Sequence, residues 1–232
     1  MKLEEFVEAC SKQGLVLNET QVQQYCRYAE ILKEWNEKMN LTAIVEFEEV
    51  LDKHFYDSLL PSFTTHIEGH LCDVGSGAGF PSIPLKIAYP ELKITILEPL
   101  KKRVTFLETV KKELNLSGVT CLDERAEDYA VKHRETFDVV TARAVANLNM
   151  LAELCIPLVK KEGLFLAMKG SNGMEEYNGA LSATTKLGCE LVKEETRTLQ
   201  DGSSRINLFY RKVKSTPSGY PRMFAKIKKN PL

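Results

Sequence analysis

The chain has 232 residues, 44% of them apolar and 27% charged, a balance that excludes disordered and membrane-embedded classes. No run approaches the roughly 18 apolar residues that span a bilayer. Met1 to Cys10 alternates acidic and apolar residues without a basic start, so no signal peptide is expected and the protein is placed in the cytoplasm. The net charge of −1 hides an asymmetry, because all 32 acidic residues lie at or before Asp201 while eight of the 31 basic ones follow it. Residues 1–201 therefore carry about −9 and the end is basic, which suits a polyanion or simply a solvated terminus.

Residues 1–60 read as a helical extension. Gly14 ends a first helix, Asn18 is a candidate N-cap, and Gln21, Tyr25, Tyr28, Ala29, Leu32 and Trp35 form one apolar face. From about residue 70 the pattern changes to short β-rich runs at Leu71–Val74, Ile94–Leu97, Val119–Leu122, Phe137–Thr141 and Leu164–Met168. Helical segments are expected between and after them, at 81–88, 101–114, 127–132, 147–159 and 174–187. Two more strands, 190–198 and 205–213, meet at the turn signal Asp201-Gly202. The expected fold is α/β: a doubly wound, mostly parallel seven-stranded sheet with an antiparallel edge. The expected divisions are the extension 1–60, a core domain 61–213 and a basic tail 214–232.

The first strand runs into Asp73-Val74-Gly75-Ser76-Gly77-Ala78-Gly79-Phe80-Pro81. Glycines at a strand-to-helix turn admit unusual backbone angles and let a ligand approach the main chain. A dinucleotide fingerprint would place its third glycine at position 80, which is Phe80. The spacing is GxGxG instead, similar to the first motif of class I S-adenosylmethionine-dependent methyltransferases, although such turns also serve as plain connections. Glu98 ends the second strand about 20 residues on, where a carboxylate accepts hydrogen bonds from both ribose hydroxyls of a nucleoside. After the third strand come Arg125-Ala126-Glu127-Asp128, where the resemblance to that methyltransferase class implies an adenine site, or where Glu127 and Asp128 simply favour a helix N-terminus. The fourth strand delivers Ala142-Arg143-Ala144. A guanidinium there suits a guanine edge, a phosphate or a structural ion pair.

Six cysteines lack CxxC spacing, and His66 and His70 lack the glutamate of a metalloprotease helix, so no metal or disulfide framework is expected. His54 and Asp57 share a helix face and are assigned to packing the extension onto the glycine turn, ahead of RNA contact. Trp35 is assigned to the core.

Together these residues resemble, over nearly the whole length, the bacterial 16S ribosomal RNA guanine-N7 methyltransferases, the RsmG family, formerly GidB. The marks are Trp35-Asn36, Asn40-Leu41-Thr42-Ala43, His54 with Asp57-Ser58-Leu59, Asp73 through Pro84, Lys102-Arg103 with Phe106-Leu107, Arg125-Ala126-Glu127, Ala142 through Ala146, Lys169-Gly170, and Tyr220-Pro221-Arg222. The family usually closes with a Gly and a Pro shortly after Tyr-Pro-Arg, where this chain has Ala225 and Ile227.

The resemblance implies methyl transfer from S-adenosylmethionine to guanine N7, at nucleotide 527 in the standard 16S numbering. It implies cofactor binding by Asp73, Gly75, Gly77, Gly79, Phe80, Glu98, Pro99, Leu100, Ala126, Glu127 and Arg143, with Arg143 also catalytic. Asp73 either orients the methionine end or caps the turn. Lys169, Lys212, Lys214, Arg222, Lys226, Lys228 and Lys229 are expected at RNA phosphates. The partner is 16S RNA or the small ribosomal subunit, and a monomer suffices. Rival readings are a methyltransferase for a small molecule or protein, a non-catalytic RNA-binding protein of this fold, and an oxidoreductase, against which Phe80 argues.

Overall fold

A computed structural model describes residues 1–232. Two N-terminal helices, α1 (Leu3–Lys12) and α2 (Glu19–Asn36), lead to a helical run of α3 (Phe47–Val50), a π-helical stretch (Leu51–Tyr56), α4 (Asp57–Leu59) and a 3-10 turn (Leu60–Phe63). Asn18 caps α2 as expected: its side chain accepts from Gln21 N at 2.9 Å, and Gln21 Oε1 accepts from Asn18 N at 2.9 Å. The alternating part follows: β1 (His70–Val74), α5 (Ser82–Ala88), β2 (Lys93–Leu97), α6 (Lys101–Glu113), β3 (Val119–Leu122), α7 (Ala126–Lys132), β4 (Phe137–Arg143), α8 (Leu148–Cys155), β5 (Val159–Lys169), α9 (Gly173–Lys186), β6 (Cys189–Thr198) and β7 (Ser204–Lys212). A short α10 (Phe224–Lys229) ends the chain.

The seven strands lie in the order β3-β2-β1-β4-β5-β7-β6. Pairing is parallel among the first five, while β7 runs antiparallel to both β5 and β6. The order reverses between β1 and β4, which opens a crevice at their carboxyl ends where ligands of such sheets bind. One expectation differs. The segment 147–159 is not one helix, because Pro157 cannot continue it: α8 stops at Cys155, a 3-10 turn carries Ile156–Leu158, and β5 begins at Val159. The polar run Lys160-Lys161-Glu162 hid those first residues of β5.

Strand side chains alternate between two cores. Leu71, Val139, Leu164 and Leu166 face α5, α6 and the N-terminal helices. Cys72, Val140, Phe165 and Ala167 face α7, α8 and α9. Burial on both faces is what a parallel sheet requires. The N-terminal helices share the first core rather than enclosing their own. Tyr25, Tyr28, Ile31 and Leu32 of α2 are fully buried in it, each stabilising by roughly 1.5–3 kcal/mol. Polar bonds fix the docking: Gln21 Nε2 donates to the carbonyls of Ile87 and Ala88 at the end of α5, and Tyr25 Oη donates to Pro84 O at 2.7 Å. The chain beyond β7 is tied down too. Thr216 N donates to Glu135 Oε1 at 2.7 Å, Arg134 donates to the carbonyls of Thr216 and Tyr220, and Ile227 is fully buried.

Candidate active site

The loop after β1 is held by its neighbours. Gly75 N donates to Leu97 O at 2.8 Å, and Tyr28 Oη donates to Ala78 O. Glu98, almost fully buried, accepts from Gly77 N at 3.0 Å and from Leu100 N at 3.1 Å. One carboxylate therefore joins the loops after β1 and β2. Its two oxygens offer about four acceptor positions, so a ribose can still be received there.

Beside this junction lies a cavity of about 360 Å³, whose lining includes Gly75, Glu98, Leu100, Ala126, Glu127 and Phe224. Leu100 is 53% exposed and Val145 37% at its margin. Several buried oxygens at the same ends of the strands have no hydrogen-bond partner: Asp73 Oδ1, Ser76 Oγ and Glu127 Oε1, the last standing 3.9 Å from Arg125 Nη1. The other Asp73 oxygen, Oδ2, accepts from Ser82 N at 3.2 Å. Burial pushes the Asp73 carboxyl up to about 7, and burial raises Glu127 as well. Unsatisfied buried polar atoms are costly, and these three suit a ligand that carries hydrogen-bond donors. An ideal Cβ on Gly77 would meet nothing within 4 Å, so a ligand can approach the main chain there.

The expectation at Phe80 concerns its backbone, whose N donates to Ser76 O at 3.1 Å within the loop. Its side chain lies in the core, stacked with His54 at 4.4 Å and packed on Tyr28 and Phe55, and does not line this cavity.

Arg143, at the end of β4, faces a second cavity of about 550 Å³, together with Lys53, His54, Asp57, Lys169 and Arg205. The two cavities share Ala144 and Val145 as a common wall. Ala144 there takes a left-handed backbone, φ 56°, a conformation that costs a non-glycine residue about 1–2 kcal/mol. Asp57, buried, accepts from Arg143 Nη1 at 2.9 Å and pairs with Arg205 Nε at 3.0 Å. The ion pair weighed as one reading of Arg143 thus exists, and it leaves the guanidinium on the cavity wall. Arg143 also stacks over Phe80, 4.9 Å from the ring centre.

His54 sits between Arg143 Nη2 at 3.3 Å and Thr42 Oγ1 at 2.9 Å. A guanidinium only donates, so Nδ1 accepts and Nε2–H faces Thr42. Burial, with Arg143 beside it, pushes His54 down to about 3, and the ring stays neutral. His54 and Asp57 therefore do bind the N-terminal helices to the glycine loop and β4. Trp35 packs edge-on against Phe106.

Several expected phosphate ligands are engaged elsewhere. Lys212 is fully buried, its Nζ donating to Ile156 O at 2.9 Å and Thr216 Oγ1 at 2.6 Å and pairing with Glu135 at 3.2 Å. It anchors the chain after β7 and is removed from the RNA-facing set. Lys169 is buried, donating to Ala146 O at 2.6 Å and pairing with Glu176 at 2.7 Å, while Glu176 accepts from Leu148 N. It braces the loop between the cavities instead of facing solvent. Arg222 is committed to the buried carboxylate of Glu153, through its own N, Nε and Nη2 at 2.6–3.1 Å. Lys214, Lys226, Lys228 and Lys229 are exposed. Sequence reasoning missed Arg205, Lys53 and Thr42, which reach the second cavity or its His54 only through the fold; Arg205 stood out solely as one more basic residue.

Four cysteines are buried and free and two are partly buried. His66 pairs with Glu68, and His70 with Thr95. No cluster of three or more His, Cys, Asp or Glu side chains is placed to hold a metal ion, and no helix is long and apolar enough to cross a membrane.

Comparison with known proteins agrees with this geometry. Among solved structures, TYW2 of P. horikoshii, crystallised with MeSAdo, superposes at TM-score 0.57 with 14% identity, covering 70% of this chain and 63% of that one. A mutant 16S rRNA (adenine(1408)-N(1))-methyltransferase from Catenulisporales acidiphilia reaches TM-score 0.52 with 14% identity, covering 62% of this chain and 85% of that one. At such identity the likeness establishes the fold. Sequence relatives go further. The ribosomal RNA small subunit methyltransferase G of Bacillus subtilis (strain 168) is 45% identical over 237 residues, covering 100% of this chain and 99% of that protein. That of Lysinibacillus sphaericus (strain C3-41) is 46% identical, covering 100% of both. The family profile described as GidB, rRNA small subunit methyltransferase G, matches residues 21–205. The chain belongs to this family and is a methyltransferase.

Proposed function

We propose that the protein transfers the methyl group of S-adenosylmethionine to N7 of one guanine of 16S ribosomal RNA, nucleotide 527 in the standard numbering. The observation that carries the reading is the pair of cavities at the carboxyl ends of β1 and β4, which share Ala144 and Val145 in their linings. A donor in one and a base in the other would meet at that wall.

The unpartnered oxygens of Asp73, Ser76 and Glu127 and the open face of Gly77 fit an adenosine carrying a cationic amino-acid end. Glu98 would receive the ribose, Ala126 and Glu127 the adenine, and Asp73 the ammonium of the methionine end. When bound, that cofactor supplies an electrophilic methyl on a sulfonium. Transfer of that methyl to N7 would break the carbon–sulfur bond as the carbon–nitrogen bond formed, with the positive charge passing from sulfur to the base.

Guanine N7 carries a free lone pair and loses no proton before attack, so the protein needs no general base. His54 suits that chemistry: held down to about 3, it is a poor proton acceptor and acts as a packing and orienting ring. Arg143 and Arg205, shared by Asp57, offer donors to guanine O6 while leaving N7 open. Rate enhancement then comes mainly from holding N7 in line with the methyl. A target inside structured RNA has to leave its stack to reach such a cavity. Exposed Lys214, Lys226, Lys228 and Lys229 serve the phosphates around it.

The test supplies radiolabelled S-adenosylmethionine with 16S RNA lacking this modification, both naked and as the small subunit. One labelled 7-methylguanine is expected in at least one substrate, and Arg143→Ala should abolish it. Label on another base, on protein, or on neither substrate would overturn the assignment.

A further inference from the structure

The basic C-terminal segment, read from sequence as a tail, has an inward side. From Thr216 to Asn230 it runs as a strap over the α7–α8 side of the sheet. At its start Thr216 meets the fully buried Lys212, which pairs with Glu135, and Arg134 donates to three of its carbonyls. It is latched at Arg222 onto the fully buried Glu153 of α8, and Ile227 is fully buried against the second core. Ile227 is one of the positions where this chain departs from the pattern it resembles. Here it is an apolar anchor.

Between the latch and the anchor stands Phe224. Its ring lies 4.5 Å from the Arg125 guanidinium carbon, and Phe224, Arg125, Leu100 and Val145 all line the cavity of about 360 Å³. Leu154, the residue after Glu153 on α8, lines it too. The cavity therefore has one wall built from the end of the chain, far along the sequence from the loops after β1 and β2. A flat ring surrounded by an exposed leucine, an exposed valine and an aromatic face with a guanidinium matches the chemistry of a nucleobase. Glu98 and Glu127, accepting hydrogen bonds, would hold such a ligand at one side. Apolar closure comes from the strap.

We propose that the strap is part of the cofactor site, with Phe224 closing the cavity over the nucleoside end of S-adenosylmethionine and the Arg222–Glu153 pair keeping Phe224 in place. This rests on the reading of that cavity as the cofactor site. Phe224 is a binding residue, and Arg222 is a positioning residue that acts through it. The strap's exposed lysines would then account for RNA affinity alone, and its aromatic residue for cofactor affinity.

The experiment measures binding of S-adenosylhomocysteine by calorimetry to the full-length protein and to Phe224→Ala, Phe224→Tyr and Arg222→Gln. Urea unfolding of each variant checks that the fold is kept. Loss of one stacked aromatic face predicts about tenfold weaker binding for Phe224→Ala. Phe224→Tyr should bind as the unaltered protein does. Arg222→Gln should weaken binding several-fold although its side chain does not line the cavity. In turnover, the KM for the methyl donor should rise in the same proportion while that for RNA stays within twofold. Phe224→Ala binding within twofold of the unaltered protein would overturn the proposal and leave the cofactor reading intact. Failure of the unaltered protein to bind S-adenosylhomocysteine at all would overturn both.

Discussion

Alanine at Gly77 and alanine at Gly79 should have opposite consequences, although the GxGxG spacing treats the two alike. Both residues have left-handed backbones, φ 61° at Gly77 and 94° at Gly79. That conformation alone costs an alanine about 1–2 kcal/mol. At Gly77 nothing lies within 4 Å of the added carbon, so this strain is the whole expected loss of stability. At Gly79 the carbon would stand 2.6 Å from Tyr28 Oη and 2.7 Å from Ile83 Cγ1, inside the first core. Overpacking of that kind adds about 1–3 kcal/mol. Displacing the Tyr28 phenol from Ala78 O adds about 1 kcal/mol more, for about 3–6 kcal/mol altogether. Binding reverses the order. Gly77→Ala places its methyl in the open approach to the loop and should weaken cofactor binding more than tenfold in a folded protein. Urea unfolding gives the first ranking and titration with S-adenosylhomocysteine the second. Equal stability losses, or unchanged cofactor affinity in Gly77→Ala, would refute the placement of the ligand against this loop.

Two further outcomes separate buried from exposed charge. Lys212→Met, which strands Glu135 beside a buried anchor, should cost about 3 kcal/mol and leave the salt dependence of RNA binding unchanged. Replacing Lys226, Lys228 and Lys229 together by alanine should leave stability within about 0.5 kcal/mol and lower the slope of log affinity against log salt by about 2. The reverse pattern would return Lys212 to the RNA-facing set. Asp73 sets a pH dependence. Its folded carboxyl titrates near 7 and its unfolded one at the ordinary value of 3.8. Between those values the folded state binds the extra proton, so stability in the absence of ligand falls as pH rises from about 4 to 7. Asp73→Asn should remove that slope, worth at most about 4 kcal/mol. Parallel urea midpoints for the two proteins over this range would eliminate Asp73 as its source.

Much of the fold was legible because it follows from local rules. The central strands betray themselves as short β-rich runs, and β1, β2 and β3 lie within one residue of their expected ends. The Asn18 cap and the glycine turn depend on residues within a few positions of one another. The start of β5 escaped because Lys160, Lys161 and Glu162 are exposed, and exposed strand residues carry no apolar signal. The helical run 47–63 was expected in outline, but its π-helical middle was not.

By itself, the sequence determined the doubly wound class, the glycine-rich turn after β1, and the excess of positive charge at the end. Which of those charges are free was decided only by tertiary structure. Arg143 meets Asp57 across 86 positions, Arg222 meets Glu153 across 69, and Lys212 reaches Ile156 O across 56. Nothing in a local pattern distinguishes these cations from Lys226 or Lys228. Burying a charge is costly unless an opposite charge or several dipoles meet it. Only the packed chain brings such partners together, and only there do a basic tail and an aromatic residue become a latch and a wall.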